Sequence, residues 1–522
     1  MRYPRNGEKL SAKEIAMARG IGWKLTVGGV LLVASVVAFS PVTLNAERNE
    51  PATARLVAVP SEVTFAKHIV PILQRSCQNC HRPDGVAPMS LVTYEETRPW
   101  ARAIKNRTGL GPRAGVMPPW YIEKNIGIQH YKDDISLSDV EVATVAKWAD
   151  TGAARGRAED MPPPLTFDAT GGWRIGKPDL VVSSEERLVK ADAPDWWGEI
   201  KSIPIGLTED RYVSAVEIRE VNDVPNSGTG RATVGGRYVF HHMIWSTRVL
   251  SEVPEDAELT AALVLGSNDA VTPWPVHEVG RNPDVFDEGA GRLLKAGSAI
   301  VSDSVHLHSN GRDTKAKLEI GFKFHPKGYK PTFRRALSRQ LGNGSDIDIR
   351  PMEAGQQLHA YTVLRDHTKI TSFEPHLHAP GMRMCLEAIW GFNIQTLSCS
   401  GYDHNWVRGY DYDDDHAPLL PRGTILHIIG YMDNSPSNKN VPDPRNWQGS
   451  GNRSVANMFI DLGMGLTLTE EQFQAEMAKR REWMKEKQQD VIIGCPLCNV
   501  PPRPTGSPTT TTAPTAPPGG AH

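Results

Sequence analysis

The sequence predicts a mainly β protein in which two β-sandwich domains follow a small all-α domain. Short β-branched and aromatic runs, broken by Gly, Asn and Pro, fill the chain from about residue 165 onward. The 46 Gly and 40 Pro among 522 residues favour turns and loops between such strands. Between about residues 60 and 158, apolar residues instead recur at spacings of three and four, which is typical of helices.

The N-terminus has the composition of an export segment. Basic residues extend to Lys24, and the apolar run "LTVGGVLLVASVVAF" follows. This pattern is that of a signal peptide or of an uncleaved N-terminal membrane anchor. We therefore expect a periplasmic or otherwise extracytoplasmic protein, which the N-terminal segment holds on the inner membrane if it is not cleaved.

Changes in composition divide the rest of the chain into further stretches. About 300 residues of strand-like sequence exceed the size of one sandwich, so two are expected. The predicted organisation is an export segment (1–50), an all-α domain (60–158), a first β-sandwich (165–330), a second β-sandwich (331–465), a helix with a CxxC motif (466–498) and a disordered Pro/Thr-rich tail (499–522).

The segment "SCQNCH" has the pattern of covalent c-type haem attachment. Cys77 and Cys80 are spaced to form two thioethers, and the adjacent His81 is then an axial iron ligand. A disulfide or half of a zinc site is the alternative, but helical sequence on both sides in an exported chain favours haem. The sixth ligand is expected to be Met117 in "AGVMPPWY", with Met89 as its rival, because a thioether suits an electron-transfer haem.

Two HxH motifs lie in the β-rich part. His376 and His378 in "EPHLHAPGM" are two residues apart, as are His306 and His308 in "SVHLHSNG". Alternate residues of a strand share one face, so each pair is spaced to bind a single metal ion. Surface or satisfied core histidines are the alternative, which three such motifs within about 140 residues disfavour.

The third motif, in "RYVFHHMIWSTRVL", places His241 and His242 side by side in a predicted strand. Neighbouring residues on a regular strand point to opposite faces, so both can bind one metal only at a strand end or a bulge. Imidazole accepts several transition metals, whereas a thioether favours copper. Met458 in "GNRSVANMFIDLGMG" is a candidate thioether, although pattern alone makes it a core residue.

Together these motifs resemble the copper type II, ascorbate-dependent monooxygenases, the family of the peptidylglycine and dopamine monooxygenases. The resemblance spans about residues 165–465 and rests on "FHHM", "GRNPDVFDEGAGRLLKAGS", "VHLHSNG", "PHLHAPGM", "YDHNW" and "YMDNSPSNKNVPDPRNW" in that order. The helical stretch, with "RPWARAIK", "MPPW" and "KWADTGA", resembles the cytochrome c domains fused to bacterial periplasmic oxidoreductases.

The resemblance implies two eight-stranded jelly-roll sandwiches, each with one copper ion facing a solvent-filled cleft. The first copper is expected on His241, His242 and His306, and the second on His376, His378 and Met458. His306 rather than His308 matches the family's third ligand, because it follows the valine of "VHL". The adjacent histidines are thereby explained as ligands of one ion.

In this family the Met-ligated copper activates O2 to hydroxylate a C–H bond, and the all-His copper supplies the second electron. We therefore expect O2 and a small-molecule substrate of unknown identity as partners. Electrons are expected from an ascorbate-like reductant, or through the fused haem from a periplasmic donor or a membrane redox complex. Nucleic acid is not expected, because 58 basic and 60 acidic residues nearly balance.

The sequence departs from the family at positions that bear on the substrate. Glu374 stands where the peptide enzyme has an arginine for the substrate carboxylate, and Leu462 stands where it has a tyrosine. A peptide ending in a carboxylate is therefore disfavoured. Glu374 is expected to be a solvated strand-edge residue, with a buried partner for an amine as the alternative. Ala456 and Asn457 replace acidic residues that usually precede the methionine ligand.

The remaining cysteines are expected to form disulfides in an oxidising compartment. Cys385 and Cys399 flank a hairpin-like stretch and are placed for a cross-strand bridge. Cys495 and Cys498 form a CxxC without a following His, which does not support a second haem; a small disulfide is the default, and a redox or metal role is the alternative.

Two other functions compete with the monooxygenase. One is a non-catalytic electron-transfer or scaffold subunit of a periplasmic membrane complex that holds haem and copper. The other is a zinc hydrolase built on the HxH pairs, which gives Met458 no role.

Overall fold

The computed structural model describes residues 59–83, 85, 87–167, 173–224, 237–254, 270–281, 283–336, 341–342, 347–451 and 456–499. The predicted export segment and nearly all of the predicted disordered tail lie outside these residues. Within them the protein is mainly β and contains several antiparallel sheets, as the strand-like runs predict. Across the same ranges, no helix has the length and apolarity needed to cross a membrane.

A helical unit occupies residues 59–160. It comprises a π-helical turn (Phe65–Ile69), α1 (Val70–Ser76), α2 (Tyr94–Thr97), α3 (Ala101–Thr108), α4 (Asp139–Asp150), and 3-10 turns at Arg98–Trp100 and Ala158–Asp160. Helix α4 begins where Ser138 and Glu141 form a capping box, which satisfies free backbone N–H groups of its first turn. Phe65 and Trp148 lie at the centre of the core of this unit.

The N-terminal β unit follows. Its strands are β1 (Leu180–Ser183), β2 (Arg187–Val189), β3 (Trp196–Pro204), β4 (Arg211–Asn222), β5 (Phe240–Val249), β6 (Val271–Pro273), β7 (His277–Glu278), β8 (Asp284–Val285), β9 (Arg292–Leu294), β10 (Ser298–Leu307) and β11 (Thr314–Phe324). One sheet has the order β1-β11-β4-β8, with β2 on β11 and β9 on β4. The other has the order β3-β10-β5-β6, with β7 on β5. Apolar residues of both sheets, such as Leu318 and Met243, share one core.

The C-terminal β unit contains the remaining strands. They are β12 (Arg334–Ala336), β13 (Leu341–Gly342), β14 (Glu353–Val363), β15 (His367–Ile370), β16 (Ser372–Phe373), β17 (Pro375–Leu377), β18 (Gly381–Trp390), β19 (Asn393–Gly401), β20 (Tyr410–Asp411), β21 (Leu419–Leu420), β22 (Ile425–Asn434), β23 (Phe459–Asp461) and β24 (Gly465–Leu468). The sheets are β14-β22-β18-β19, β12-β24-β15-β21, β13-β23-β17 and β16-β20. Their apolar faces enclose a second core.

Part of the helical unit also packs into this second core. Trp120, Ile122, Ile128 and Tyr131 are buried among the residues of the C-terminal β unit. Ile122 forms a β-bridge with Ser400, next to the end of β19. The chain that follows α3 is therefore held against the C-terminal β unit by both apolar burial and backbone pairing.

A last helix, α5 (Glu470–Glu486), closes the described chain, as the sequence predicts. It begins at a capping box formed by Thr469 and Gln472. Phe473 and Met477 are buried against apolar residues of β21 and β24. This packing fixes the helix on the C-terminal β unit.

Candidate metal centre

One cavity brings together five of the six residues that the sequence predicts as copper ligands. We call it the histidine cavity, and it is lined by Trp197, His241, His242, Glu278, His306, His376, Leu377, His378, Tyr402, His404 and Val407. The lining comes from both β units. The structure thus gathers imidazoles that are up to 163 positions apart in sequence, from His241 to His404.

A β-bulge directs His241 and His242 into the same cavity. In the ladder between β5 and β10, His242 lies opposite His306, but Phe240 lies opposite Leu307, so His241 is an extra residue on its strand. Such an extra residue breaks the strict alternation of faces and re-aims a side chain. The sequence-based requirement for a bulge or strand end at these two residues is therefore confirmed.

His306 is buried and held from both sides. Its ring stacks on Trp197 with the centroids 4.4 Å apart, and its centroid lies 5.1 Å from that of His241. Its Nε2 is 3.2 Å from Asp195 Oδ2, while its Nδ1 is buried without a hydrogen-bond partner among the described residues. His308 lies 5.1 Å from His241 by ring centroids but is not part of the cavity lining.

His376 and His378 come from the end of β17 and the residue that follows it. Their ring centroids are 5.5 Å apart, and both side chains are buried. His378 Nδ1 lies 2.9 Å from the backbone oxygen of Ala456, to which it can donate a hydrogen bond. The HxH spacing therefore places two rings in one cavity, as the sequence predicts.

Met458 is the sixth predicted ligand, and the structure does not include it in the cavity lining. It is buried, with 6% of its surface exposed, immediately before β23. Because β17 and β23 pair with His376 opposite Ile460 and Leu377 opposite Phe459, the next step of the ladder brings Met458 towards His378. The strand register thus places the backbone of Met458 next to that of His378, while the Met458 side chain lies outside the cavity lining.

Glu278 connects the two groups of histidines, a role that the sequence did not predict. It lies opposite His242 in the β5–β7 ladder, and its Oε1 is 2.7 Å from His242 Nδ1, which donates to it. The same oxygen is 3.2 Å from His376 Nδ1. Burial alone raises the pKa of this carboxyl, but His242 and His376 lower it overall, so Glu278 is ionised.

Four imidazoles of the cavity are held neutral, which is the state that binds metals. Burial lowers the pKa of His376 to about 3 and the pKa values of His306 and His404 to about 4. Burial likewise holds the pKa of His241 well below its usual range. At neutral pH these rings therefore offer nitrogen lone pairs rather than positive charge.

The residues present fit a transition metal. His242 Nε2, His306 Nδ1 and His376 Nε2 are buried without hydrogen-bond partners among the described residues. In His242 and His306, the other nitrogen is held by a carboxylate, which is the usual arrangement around a metal-binding histidine. Buried nitrogens without partners are costly unless they bind something.

The distances between neighbouring rings match those expected for two imidazoles bound to one ion. Two imidazoles bound at about 2.1 Å to one ion have centroids about 4.5 to 6.4 Å apart, and the pairs His241–His306 and His376–His378 lie at 5.1 and 5.5 Å. In the described part of the chain, however, no group of three or more His, Cys, Asp or Glu side chains is arranged to hold a metal ion directly.

The environment of Glu374 corrects an expectation. Glu374 is not a solvated strand-edge residue, because only 2% of it is exposed and it forms a buried salt bridge with Arg281. Arg281 also pairs with Asp284 at 2.7 Å. The sequence around Glu374 carries no sign of this partner, which comes from the other β unit. Since its charge is already paired, Glu374 is not free to bind an amine.

The predicted haem segment lies at the end of α1. Cys77 and Cys80 are free thiols, and burial raises the pKa of Cys77 to about 12. His81 Nδ1 lies 3.2 Å from the backbone oxygen of Met89, which orients the ring and leaves Nε2 for an axial bond. The Met89 side chain packs against the helical core, whereas Met117 is 39% exposed. Neither methionine is singled out as the sixth ligand by these contacts.

A hydrogen bond links the loop after α3, which carries Met117, to the residue that precedes His404 of the histidine cavity. The backbone N–H of Gly115, two residues before Met117, donates to Asp403 Oδ2 at 3.0 Å. Asp403 is followed directly by His404 of the cavity. Arg383 and Glu123 form a further salt bridge between the helical unit and β18.

The structure pairs the four remaining cysteines as the sequence predicts. Cys385 and Cys399 lie opposite each other on β18 and β19 and form a disulfide. Cys495 and Cys498 form a second disulfide beside α5. Both bridges lie away from the histidine cavity lining.

Comparisons with known proteins give no family for this chain. No family model matches it, and no curated protein does. Among solved structures, a variant of Bacillus subtilis oxalate decarboxylase aligns with 6% identity and a TM-score of 0.11, over 59% of this chain and 80% of that one. A second variant of that enzyme aligns with 8% identity and a TM-score of 0.12, over 64% and 90%. Likeness at this level supports no conclusion about fold or function.

Proposed function

We propose that the protein is a copper-dependent monooxygenase that hydroxylates a C–H bond of a small molecule with O2. In this proposal the two β units are jelly-roll sandwiches that hold one copper each, and the helical unit is a cytochrome c-like domain with one covalent c-type haem. The observation that carries it is the convergence of five predicted imidazole ligands from two β units on one buried cavity.

The donors of the cavity suit copper in two positions. His241, His242 and His306 belong to the N-terminal β unit, and His376 and His378 to the C-terminal one. Imidazole is a good ligand for copper, and a thioether beside the HxH pair favours its reduced state. Copper, when bound, supplies one-electron redox chemistry and a site for O2.

The protein's own residues orient the ligands and shield the site. Glu278 holds His242, Asp195 holds His306, and the Ala456 carbonyl holds His378. Around the rings, the side chains of Leu377, Val407 and Trp197 give the cavity an apolar wall. Such a wall excludes water, and rings fixed by outer hydrogen bonds lose little freedom on binding.

Electrons reach such a site from outside, and the haem segment supports an internal supply. Gly115, in the loop after α3 of the same helical unit, is hydrogen-bonded to Asp403, the residue that precedes His404. A haem at Cys77, Cys80 and His81 would pass single electrons from a periplasmic donor. An ascorbate-like reductant is the other source.

The substrate is expected to be uncharged or cationic rather than a peptide carboxylate. The arginine that would bind such a carboxylate is replaced by Glu374, and Glu374 is itself neutralised by Arg281. No Lys or Arg is among the residues that line the cavity. The cavity therefore lacks a fixed positive charge to attract a carboxylate.

The test is O2 uptake by the haem-loaded protein, driven by a reductant in the presence of copper. We expect uptake that requires copper and that falls at least ~10-fold in Met458→Leu, because loss of the thioether removes a ligand of the O2-activating copper. A variant at Met352, which is exposed and distant in sequence, is the control. Copper-loaded protein that takes up no O2 would favour the electron-transfer or scaffold alternative.

One observation favours a second function, that of a zinc hydrolase. Met458 lies outside the cavity lining, so the donors that face the cavity are imidazoles and one carboxylate. Such a set also suits zinc. Zinc rather than copper in the purified protein, together with a Met458→Leu variant of unchanged metal content and hydrolytic activity, would establish this function instead.

A further inference from the structure

We infer that His404 is a metal ligand, supplied by the C-terminal β unit to the metal held by the histidines of the N-terminal unit. The proposed ligand sets do not include this residue, which lies in the "YDHNW" element of the sequence. The inference rests on the proposed function, since it concerns the ligands of one of its two coppers.

The position of His404 is that of a ligand between the two groups. Its ring centroid lies 5.6 Å from that of His241 and 5.9 Å from that of His378. Both distances lie within the span expected for two imidazoles on one ion, about 4.5 to 6.4 Å, and the distance to His241 is the shorter. It is close to the 5.5 Å that separates His376 from His378.

The ring of His404 also has an unused donor. Its Nδ1 is buried and makes no hydrogen bond within the described part of the chain. A buried polar nitrogen without a partner costs about 1–3 kcal/mol. A bound metal would satisfy it, as it would satisfy His306 Nδ1 and His242 Nε2, which are unpartnered in the same cavity.

Chemistry assigns His404 to the first metal rather than the second. A metal that activates O2 needs an open coordination position, so three protein ligands suit it. An electron-transfer metal needs no open coordination position, so a fourth imidazole can fill its last position. With His241, His242 and His306, His404 completes a four-nitrogen set.

This assignment has a structural consequence. His241 belongs to the N-terminal β unit and His404 to the loop after β19 in the C-terminal unit. A metal bound to both would tie the two units together. Asp403, which precedes this ligand, accepts a hydrogen bond from Gly115 in the loop after α3, so the metal would lie beside a contact between the C-terminal β unit and the helical unit.

The test isolates the first metal. In a His376→Ala, His378→Ala background, one copper remains, and its nitrogen ligands are counted by X-ray absorption and by the nitrogen splitting in the Cu(II) electron paramagnetic resonance spectrum. Adding His404→Gly is expected to reduce the count from four to three and to weaken copper binding ~100-fold, measured by chelator competition. Added imidazole is expected to restore the spectrum.

The controls separate a ligand from a structural role. His359→Gly removes a histidine that pairs with His427 on β14 and β22, away from the cavity, and should leave the spectrum unchanged. His404→Gln keeps a polar side chain and serves as the variant of choice if the glycine variant unfolds.

Two outcomes would be decisive against the inference or its premise. A nitrogen count and copper affinity that are the same with and without His404, in protein that binds copper, would overturn the inference alone. A wild-type protein that binds no copper would overturn the proposed function, and the inference with it.

Discussion

Replacing Glu278 by Gln should lower the affinity of the protein for both metals. Glu278 Oε1 lies 2.7 Å from His242 Nδ1 and 3.2 Å from His376 Nδ1, so it serves both groups of ligands. Gln keeps the size of the side chain but removes the negative charge. It therefore replaces a charge-assisted hydrogen bond by a neutral one, and it no longer favours ligand rings that become positive on metal binding.

The magnitude follows from how such outer partners act. Loss of a carboxylate that holds a metal-binding histidine costs about 10- to 100-fold in affinity, which is about 1.4 to 2.7 kcal/mol per site. Burial strengthens the interaction, since Glu278 is 2% exposed. We expect the larger loss at the copper held by His242, because His242 Nδ1 is hydrogen-bonded to Glu278, whereas His376 Nδ1 lies 3.2 Å from it without a hydrogen bond.

The assay is a chelator competition that resolves the two copper affinities, with the electron paramagnetic resonance spectrum as a second readout. Glu217→Gln is the matched control, because Glu217 is also buried in the N-terminal β unit but accepts hydrogen bonds from the backbone of Arg174 and Ile175 rather than from a histidine. Wild-type affinity for both coppers in Glu278→Gln would refute the role given to this carboxylate.

Three further predictions concern the Gly115–Asp403 hydrogen bond, the pH dependence of stability and the Cys385–Cys399 disulfide. Asp403→Ala removes the acceptor of Gly115 N–H and should slow haem-to-copper electron transfer in stopped-flow measurements without changing haem content; an unchanged rate would exclude this contact from the route. Burial raises the pKa of Asp411 to about 6, so its contribution to stability is present below about pH 4 and is lost as pH rises through 6. The unfolding free energy of Asp411→Asn, measured in urea, should therefore rise relative to that of wild type by up to about 3 kcal/mol between pH 4 and 7. Parallel pH profiles of the two proteins would contradict this. Replacing Cys385 and Cys399 by Ala should lower the unfolding free energy by about 3 kcal/mol, and equal denaturation midpoints would contradict the stabilising role of the bridge.

Local pattern predicted most of the elements and much of the site. The run around His241 was predicted as a strand with a bulge or an end, and the HxH at His376 as two rings on one face. The structure has both features. Such predictions succeed because strand alternation and turn residues act within a few positions of the chain.

Long-range partners were not predictable from the same pattern. Glu278 and His404 reach the cavity through tertiary packing. His404 lies in the "YDHNW" element, but local pattern does not identify it as a ligand, and Glu278 lies outside the quoted motifs. The sequence around Glu374 is compatible with an exposed edge, but its partner Arg281 comes from the other β unit and buries it. A charged residue is buried only where such a partner is present, and pairing of this kind leaves no local signal.

The extent of the helical unit also depends on distant contacts. The sequence between Pro112 and Tyr131 was included in the predicted all-α domain, and its domain boundaries stay a prediction. In the structure, Trp120 and Tyr131 are buried in the core of the C-terminal β unit. Apolar residues in a loop-like sequence indicate burial, but not the element against which they are buried.

The most direct test of the central claim is the content of copper, zinc and iron per chain in protein purified from the periplasm with its haem intact. The ligand sets predict about two coppers and one iron. One zinc and no copper, even after copper is supplied, would contradict the copper monooxygenase.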